Sequence, residues 1–543
     1  MLTLREIVQA TGGQVRGGEA QQTTAREGAD NDDDVRFSRV VIDSRQIAPG
    51  ALFVALRGQK HDAHAFVAQA LASGGAGALV DHVPADCAWA LDPPVAADSA
   101  NPADRRSADE PADMAKPDNS ADLPVRSNPD GAADAVDQSD QRDAPNPGSG
   151  RGAASGPPLI VVGSTVTALA DMARFALDRH PKLDVVGITG SLGKTTTKEV
   201  VAGVLGARRS VLKTEGNLNS EIGLPMTVLN GLNRSHEIAV LEMGMYNAGD
   251  IRLLAKLARP RIGVVTAVQP VHLERMGTIE AIQSAKQELV EELPEHDTHG
   301  GVAILNADDP RVAQMAAATR ARVVRYGVAV DADVRAENIL SQGLRGVEFD
   351  LLGSGKKRHV RLPLLGEHSV HAALAATAVA LEEGFSLSEA ADALHELTPA
   401  LRLLIVEGIK GARIVDDSYN ASPESVLAAL NLLKELPGRR KIAVLGDMLE
   451  LGSEEENGHR RVGHRAGLVL DRLITFGERS RVTADEARHA GLSGEQVVEA
   501  SSQQEIVDQL RSWLRAGDDV LVKGSLAMGM SAVVRGISAQ GEG

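Results

Sequence analysis

The sequence predicts an α/β protein of three domains built on mostly parallel sheets, and three observations carry that prediction. A chain of 543 residues is long enough for about three domains, each with its own core. Short apolar, strand-like runs alternate with longer helical patterns, the order that sets parallel strands beneath helices on both faces. Over residues 92–157 the composition shifts abruptly to a stretch without Ile, Phe, Tyr or Trp, which interrupts the first domain. The expected limits are 1–163, 164–398 and 399–543.

The residues before 92, with VVIDSRQIAPGALFVALRG, read as a small mixed α/β domain. A series of strand-like runs follows: LIVVG (159–163), LDVVGIT (183–189), EIAVLEMG (237–244), RIGVVTAV (261–268) and GVAILNA (301–307). HSVHAALAATAVALEEG and SLSEAADALHEL form a helical pair. Beyond them ARIVDDS, RKIAVLGDM, DRLITFG and DDVLVKGS, with helices between, predict a smaller open α/β domain.

Composition narrows the function. Hydrophobic residues at 43% and charged residues at 24% are ordinary for soluble globular chains. A net charge of −17 and an aromatic content of 2% argue against nucleic-acid binding, which needs basic surface and stacking platforms. No apolar run approaches the roughly 18 residues of a membrane span. The opening MLTLREIVQATGG carries charge where a signal peptide needs an apolar core. The single cysteine, Cys87, excludes an intrachain disulfide and fits a reducing compartment. A soluble, cytoplasmic protein without membrane insertion is expected, and a monomer. Segment 92–157 holds 13 acidic and 6 basic residues. It fits a docking tail or a tolerated surface insertion, and its composition favours the insertion. A shorter acidic loop lies at EGADNDDDVR.

The stretch VVGITGSLGKTTTKEV (185–200) reads as strand, glycine turn and helix start. Five residues separate Gly187 from Gly193 where the strict P-loop has four, and Ile188 stands where a glycine would be. What survives is T-G-x-x-G-K-T-T, from Thr189 through Gly190, Ser191, Gly193, Lys194 and Thr195 to Thr196. Gly190 and Gly193 let backbone N–H groups close on phosphate oxygens, and the helix N-terminus adds partial positive charge. Lys194 would reach the β- and γ-phosphates, and the Thr195 hydroxyl can ligate Mg²⁺. A plain glycine turn is the blander reading, and the order strand, Gly-Lys-Thr, helix favours nucleotide binding.

Glu242 ends a buried strand where such sheets meet their ligands. It is either a solvated strand end or a carboxylate compensated by a cation. His272 follows the next strand at the same edge and alone reads as structural. Lys286 sits on the apolar stripe Ile279, Ile282, Leu289, Leu293, a core-facing position at helical spacing. Its stem could snorkel to water. Alternatively a desolvated, neutral amine could take up CO₂ as a carbamate and become a metal ligand.

Together T-G-x-x-G-K-T-T, EMGMYNAGDI, HLERMGTIEAIQSAKQEL, LNADDP, DDSYNASP and LGDMLELG resemble the Mur ligases over the whole chain except residues 92–157. The resemblance implies an N-terminal domain for a UDP-sugar, a central ATPase and a C-terminal Rossmann-like domain. It implies that ATP phosphorylates the terminal carboxylate of UDP-N-acetylmuramoyl-tripeptide and that the amine of D-alanyl-D-alanine attacks the acyl phosphate. By position, Lys194 and Thr195 hold phosphates and Mg²⁺, with Glu242, His272 and Lys286 as further metal ligands. Asn306 resembles an adenine-binding asparagine, Arg402 an arginine that reaches the ATP phosphates, and Asp417 a ribose-binding aspartate. Ser44 and Arg45 resemble part of a uridine site, while Asn217 and Asn219 fall along the substrate channel. Tyr419 and Asn420 lie near Asp417, and Lys523 and Ser525 face the incoming dipeptide.

Three positions depart from the family. Leu401-Arg402-Leu403 stands where Gly-Arg-Leu is usual, Ser369 and His371 replace asparagines, and Leu526 replaces an arginine after VKGS. A sister ligase that adds the third amino acid carries Asp-Asn-Pro-Arg in its C-terminal domain. The similar DDPR at 308–311 lies in the central domain. A non-ligating P-loop ATPase scaffold is favoured only by the acidic insertion, and a kinase leaves the C-terminal domain unexplained.

Overall fold

The computed structural model describes residues 2–17, 35–58, 61–90, 156–397 and 404–539. Segment 92–157 therefore lies outside the described residues save Gly156 and Pro157, as do most of the acidic loop, Arg402 with its two leucines, and the expected boundary at 398.

Three sheets of five, nine and six strands follow one another along the chain. In the first, Val40–Val41, Leu52–Val54, Gly77–Val80 and Leu159–Val161 run parallel, and Gln14–Arg16 closes the edge antiparallel. Leu159–Val161 thus belongs to the N-terminal sheet, within residues 1–163, although its apolar run resembles those of the series that follows. An apolar run announces a buried strand but not the sheet it enters. Trp89 Nε1 donates to the Pro157 carbonyl at 3.3 Å, so the stubs flanking the insertion meet.

The central sheet sets Asp184–Thr189 between Ile238–Glu242 and Ile262–Val265, with Val302–Asn306 beyond, all parallel. All four strands are buried, which is why they read as continuous apolar runs. Three antiparallel strands, Val334–Ser341, Val347–Gly353 and Lys356–Leu362, extend one side. Helix Ser369–Glu382, almost wholly buried, packs on helix Lys194–Gly206 and seats the phosphate-loop helix in the core.

In the C-terminal sheet, strands Arg413–Asp417, Asp519–Lys523, Lys441–Gly446, Arg472–Phe476 and Val497–Ala500 are parallel, with Leu404–Glu407 antiparallel at one edge. Helix Pro423–Glu435 starts cleanly because Ser422 caps it and Pro423 opens it. Among the described residues no helix is long and apolar enough to cross a membrane.

Candidate active site

The phosphate loop is built by a steric constraint. Strand Asp184–Thr189 ends in Gly190, where φ is +150° and a Cβ would fall 1.9 Å from Thr266 Oγ1. Gly193, at φ +78°, turns the chain into helix Lys194–Gly206. The Ser191 hydroxyl donates to the Gln269 carbonyl at 3.0 Å and accepts from the Gln269 amide at 2.9 Å. Thr266 Oγ1 donates to the Leu192 carbonyl at 2.5 Å, which ties the loop to the neighbouring strand end. Lys194 Nζ donates to the Gly190 carbonyl at 2.8 Å, so its ammonium lies over the turn. Burial lowers its pKa and Glu242 opposes the shift, so an arriving polyphosphate would favour the charged form. Four open N–H groups and the helix dipole make such a turn an anion site.

Glu242 lies at the end of strand Ile238–Glu242, 2% exposed. Its Oε2 accepts from Thr195 Oγ1 at 3.0 Å and its Oε1 from Asn219 Nδ2 at 2.8 Å. Both partners are neutral, so the buried charge has hydrogen bonds but no cation among them. A carboxylate and a hydroxyl side by side are hard oxygen donors, and this pair fits Mg²⁺. Asn219, expected along the substrate channel, donates to that carboxylate.

Lys286 lies on helix Ile279–Glu291, started by the Thr278 cap, and is 2% exposed. The contact found at its amine is Met245 Sδ at 3.9 Å. Desolvation, then Lys194, pushes its pKa well below the ordinary lysine value, which favours the neutral amine. The buried stem does not carry the amine to solvent. His272 precedes the short helix Leu273–Met276 at φ +60°, and its Nδ1 pairs with Glu450 of the C-terminal domain. Desolvation lowers its pKa although Glu450 opposes the shift, and Lys286 and Lys194 add to the lowering. A neutral ring donating from Nδ1 would leave the Nε2 lone pair available to a metal. Lys194 is the common neighbour here: Glu242 favours its charged form, while its own charge disfavours protonation of His272 and Lys286.

The other expected residues divide by what already holds them. The Thr189 hydroxyl is buried and donates to the Met243 carbonyl at 2.9 Å, a bond between strand ends. Thr196 lies exposed in the first turn of the phosphate-loop helix. Asn306 donates to the Thr266 carbonyl at 2.8 Å and accepts from the Asp308 amide at 3.0 Å, which leaves one amide proton and one lone pair for a base. His371 pairs with Asp308 at 2.8 Å, while Ser369 turns its hydroxyl to the Gly366 carbonyl.

In the C-terminal domain Lys523, 3% exposed, bridges Asp417 at 2.7 Å and the Asn420 carbonyl at 2.8 Å. Burial raises the Asp417 pKa against the pull of Lys523. Tyr419 lies exposed, and Ser525 Oγ accepts from the Leu449 amide at 2.9 Å. In the N-terminal domain Arg45 folds onto Asp43 at 2.8 Å with its side chain 86% exposed, beside Ser44 in the turn Ser44–Gln46. Arg402 lies outside the described residues.

Two contributors escape a sequence reading. Glu450 pairs with a residue 178 positions away, a relation no local pattern encodes. Lys198 is fully buried, and its Nζ donates to the Thr214 carbonyl at 2.7 Å. Thr214 Oγ1 in turn accepts from the Glu242 amide at 3.0 Å. The signal for Lys198 was available: it precedes Ala202 and Leu205 by four and seven residues, on the buried face of its helix.

Known proteins share this architecture. The family described as Mur ligase middle domain matches residues 188–380. The Mur ligase glutamate ligase domain matches 401–526, and the Mur ligase family catalytic domain matches 36–114. A UDP-N-acetylmuramoyl-tripeptide–D-alanyl-D-alanine ligase of Mycobacterium tuberculosis is 34% identical over 98% of this chain and 96% of its own. The chain belongs to the Mur ligase family. Ligases of the same name from Bacillus subtilis and Escherichia coli are each 31% identical, covering 91% and 94% of this chain and 92% and 95% of their own. Among solved structures, MurF from Acinetobacter baumannii superposes with a TM-score of 0.72 at 25% identity, covering 98% of this chain and 97% of that one. The MurF ligase of Thermotoga maritima, solved in complex with ADP, gives 0.67 at 26% identity, covering 91% and 96%. As a Mur ligase the chain is an ATP-dependent ligase, and its phosphate loop falls inside the matched middle domain.

Proposed function

We propose that this chain joins D-alanyl-D-alanine to UDP-N-acetylmuramoyl-tripeptide at the expense of ATP, forming the UDP-muramyl-pentapeptide precursor of peptidoglycan. The observation that carries this reading is the likeness, over at least 91% of this chain, to three ligases of that name. The crevice supplies matching chemistry. A carboxylate is a poor acyl donor at neutral pH. Transfer of the γ-phosphoryl group to a carboxylate oxygen gives an acyl phosphate and releases ADP. The dipeptide amine then attacks the acyl carbon and loses a proton, and inorganic phosphate leaves as the amide forms.

In this reading the loop Thr189–Thr196 cradles the polyphosphate, and the Lys194 ammonium opposes charge on the transferring group. Thr195, Glu242, His272 and Lys286 would hold Mg²⁺, which when bound supplies further positive charge against the phosphate oxygens. The neutral Lys286 amine can add CO₂, forming an N–C bond and releasing a proton, and the carbamate so made is an anionic oxygen donor. Residues 1–163, with Ser44 and Arg45, would take the UDP-sugar, and 164–398 the ATP. Residues 399–543, with Arg402, Asp417, Tyr419, Asn420, Lys523 and Ser525, would close on nucleotide and dipeptide. Asn217 lines the way between, and Asn306 offers its remaining amide capacity to the adenine.

The sister ligase that adds the third amino acid finds no foothold at DDPR. Asp309 of that stretch caps helix Pro310–Gln314 and accepts from the Val268 amide at 2.8 Å, a structural task in the central domain. The acyl-phosphate reading is tested with tripeptide substrate carrying oxygen-18 in its terminal carboxylate. One labelled oxygen is expected in the released phosphate, and unlabelled phosphate would overturn the route.

A further inference from the structure

The contact between His272 and Glu450 joins two domains at two strained residues. His272 has φ +60° and Glu450 φ +64°, the left-handed region that side chains other than glycine seldom adopt. Strain of this kind persists only where surrounding structure holds it. Here it is held on both sides. The Glu274 amide donates to the Glu450 carbonyl at 3.4 Å, and Arg275 Nη2 lies 3.6 Å from Glu450 Oε1. A Cβ on Gly452 would stand 3.0 Å from the Glu274 nitrogen, so the two backbones are in contact.

The loop that carries Glu450 is pinned in its own domain. Asp447 Oδ1 accepts from the Ser480 amide at 2.7 Å, and the Met448 amide donates to His459 Nε2 at 3.2 Å. The Leu449 amide donates to Ser525 Oγ at 2.9 Å, and the Ser525 amide donates to the Asp447 carbonyl at 3.1 Å. One short segment therefore links Ser525, expected at the dipeptide, to His272, expected at the metal.

The geometry points to Glu450 as a positioning residue: by holding His272 Nδ1 from the C-terminal domain, it aims Nε2 at the metal–nucleotide crevice, so that docking of that domain completes the metal site. A carboxylate behind a ligating histidine fixes both ring orientation and tautomer, and removing such a partner costs about 10–100-fold in metal affinity. The inference rests on the reading of Glu242 and His272 as metal ligands.

The test measures Mn²⁺ binding to the full chain with ADP, by electron paramagnetic resonance, alongside ligation kinetics. Glu450→Gln should weaken Mn²⁺ binding about tenfold or more. It should also lower kcat, with the KM values for tripeptide and dipeptide within about threefold. Glu450→Gly should show the same metal defect although it relieves the strain at φ +64°, which separates positioning from folding. Glu274→Gln, in the same contact but without a bond to His272, should bind Mn²⁺ like the parent. Parental Mn²⁺ affinity in both Glu450 variants would overturn the assignment. Parental affinity in Glu242→Ala would instead remove the metal-site reading beneath it, so the two failures are distinguishable.

Discussion

Two buried lysines of the central domain, on different helices, show what a low-dielectric interior does with an ammonium. Lys198, fully buried on the phosphate-loop helix, reaches the Thr214 carbonyl at 2.7 Å and Glu199 at 3.0 Å. Lys286, 2% exposed on helix Ile279–Glu291, meets a thioether at 3.9 Å and repulsion from Lys194. Desolvation disfavours a charge in either place, and only the first site offers a carboxylate and a carbonyl in exchange. Lys198 is thus a brace beneath Glu242, whereas the Lys286 amine has its pKa pushed well below the ordinary lysine value, which favours the neutral form. What separates the two lysines is the acceptor that only Lys198 has within reach among the described residues.

The contrast is bounded by a third lysine. Lys194 faces the phosphates, and Lys194→Ala should lower ATP turnover by at least about 10³-fold while circular dichroism stays parental. Retained turnover would remove the premise that this turn is the reaction centre.

The sharpest break of the comparison is at Lys286. Lys286→Ala should lose about 10²-fold or more in kcat, and added formate or acetate should restore part of it by supplying the missing carboxylate oxygen. Lys286→Gln that stays active without response to carboxylate would return this lysine to a packing role. Intact-mass analysis after carbon-13 carbonate labelling tests the carbamate itself.

Lys198→Met should behave in the opposite way. It leaves the Thr214 carbonyl without its donor and Glu199 with only Lys213, and should cost about 2 kcal/mol of stability in thermal or denaturant melts. Its kcat should stay within about threefold of the parent. A large kcat loss at full stability would place Lys198 in the chemistry and erase the distinction.

The pairing of periodicity with burial explains how much was legible beforehand. The central parallel strands could be read because both faces are covered and their residues are uniformly apolar, as in Ile238–Glu242. Lys286 could be read because a lysine interrupted an otherwise apolar helical stripe, and Lys198 could have been found the same way. Strand Val347–Gly353 lies beyond the apolar runs of the parallel series, and its strictly alternating burial is an antiparallel signature that a search for continuous apolar runs does not find. Leu159–Val161 was legible as a strand, and its parallel neighbour Gly77–Val80 lies on the far side of the insertion. The convergence of Thr195, Asn219 and Glu242 and the reach of Glu450 to His272 depend on tertiary placement, which short-range pattern does not carry.

The smallest effect is expected outside the comparison, at segment 92–157. It enters after turn Ala88–Ala90 and returns into strand Leu159–Val161, and Trp89 holds the returning stub. A short Gly/Ser linker in its place should keep turnover within about tenfold, or about 1.4 kcal/mol of barrier. A larger loss would assign the segment a part in the reaction.

The most direct test of the whole account is phosphate release from ATP with UDP-N-acetylmuramoyl-tripeptide, measured with and without D-alanyl-D-alanine. Release that depends on both substrates, with one pentapeptide formed per phosphate, is the result expected. Steady release without the dipeptide, or without the tripeptide, would contradict a ligase built around this crevice.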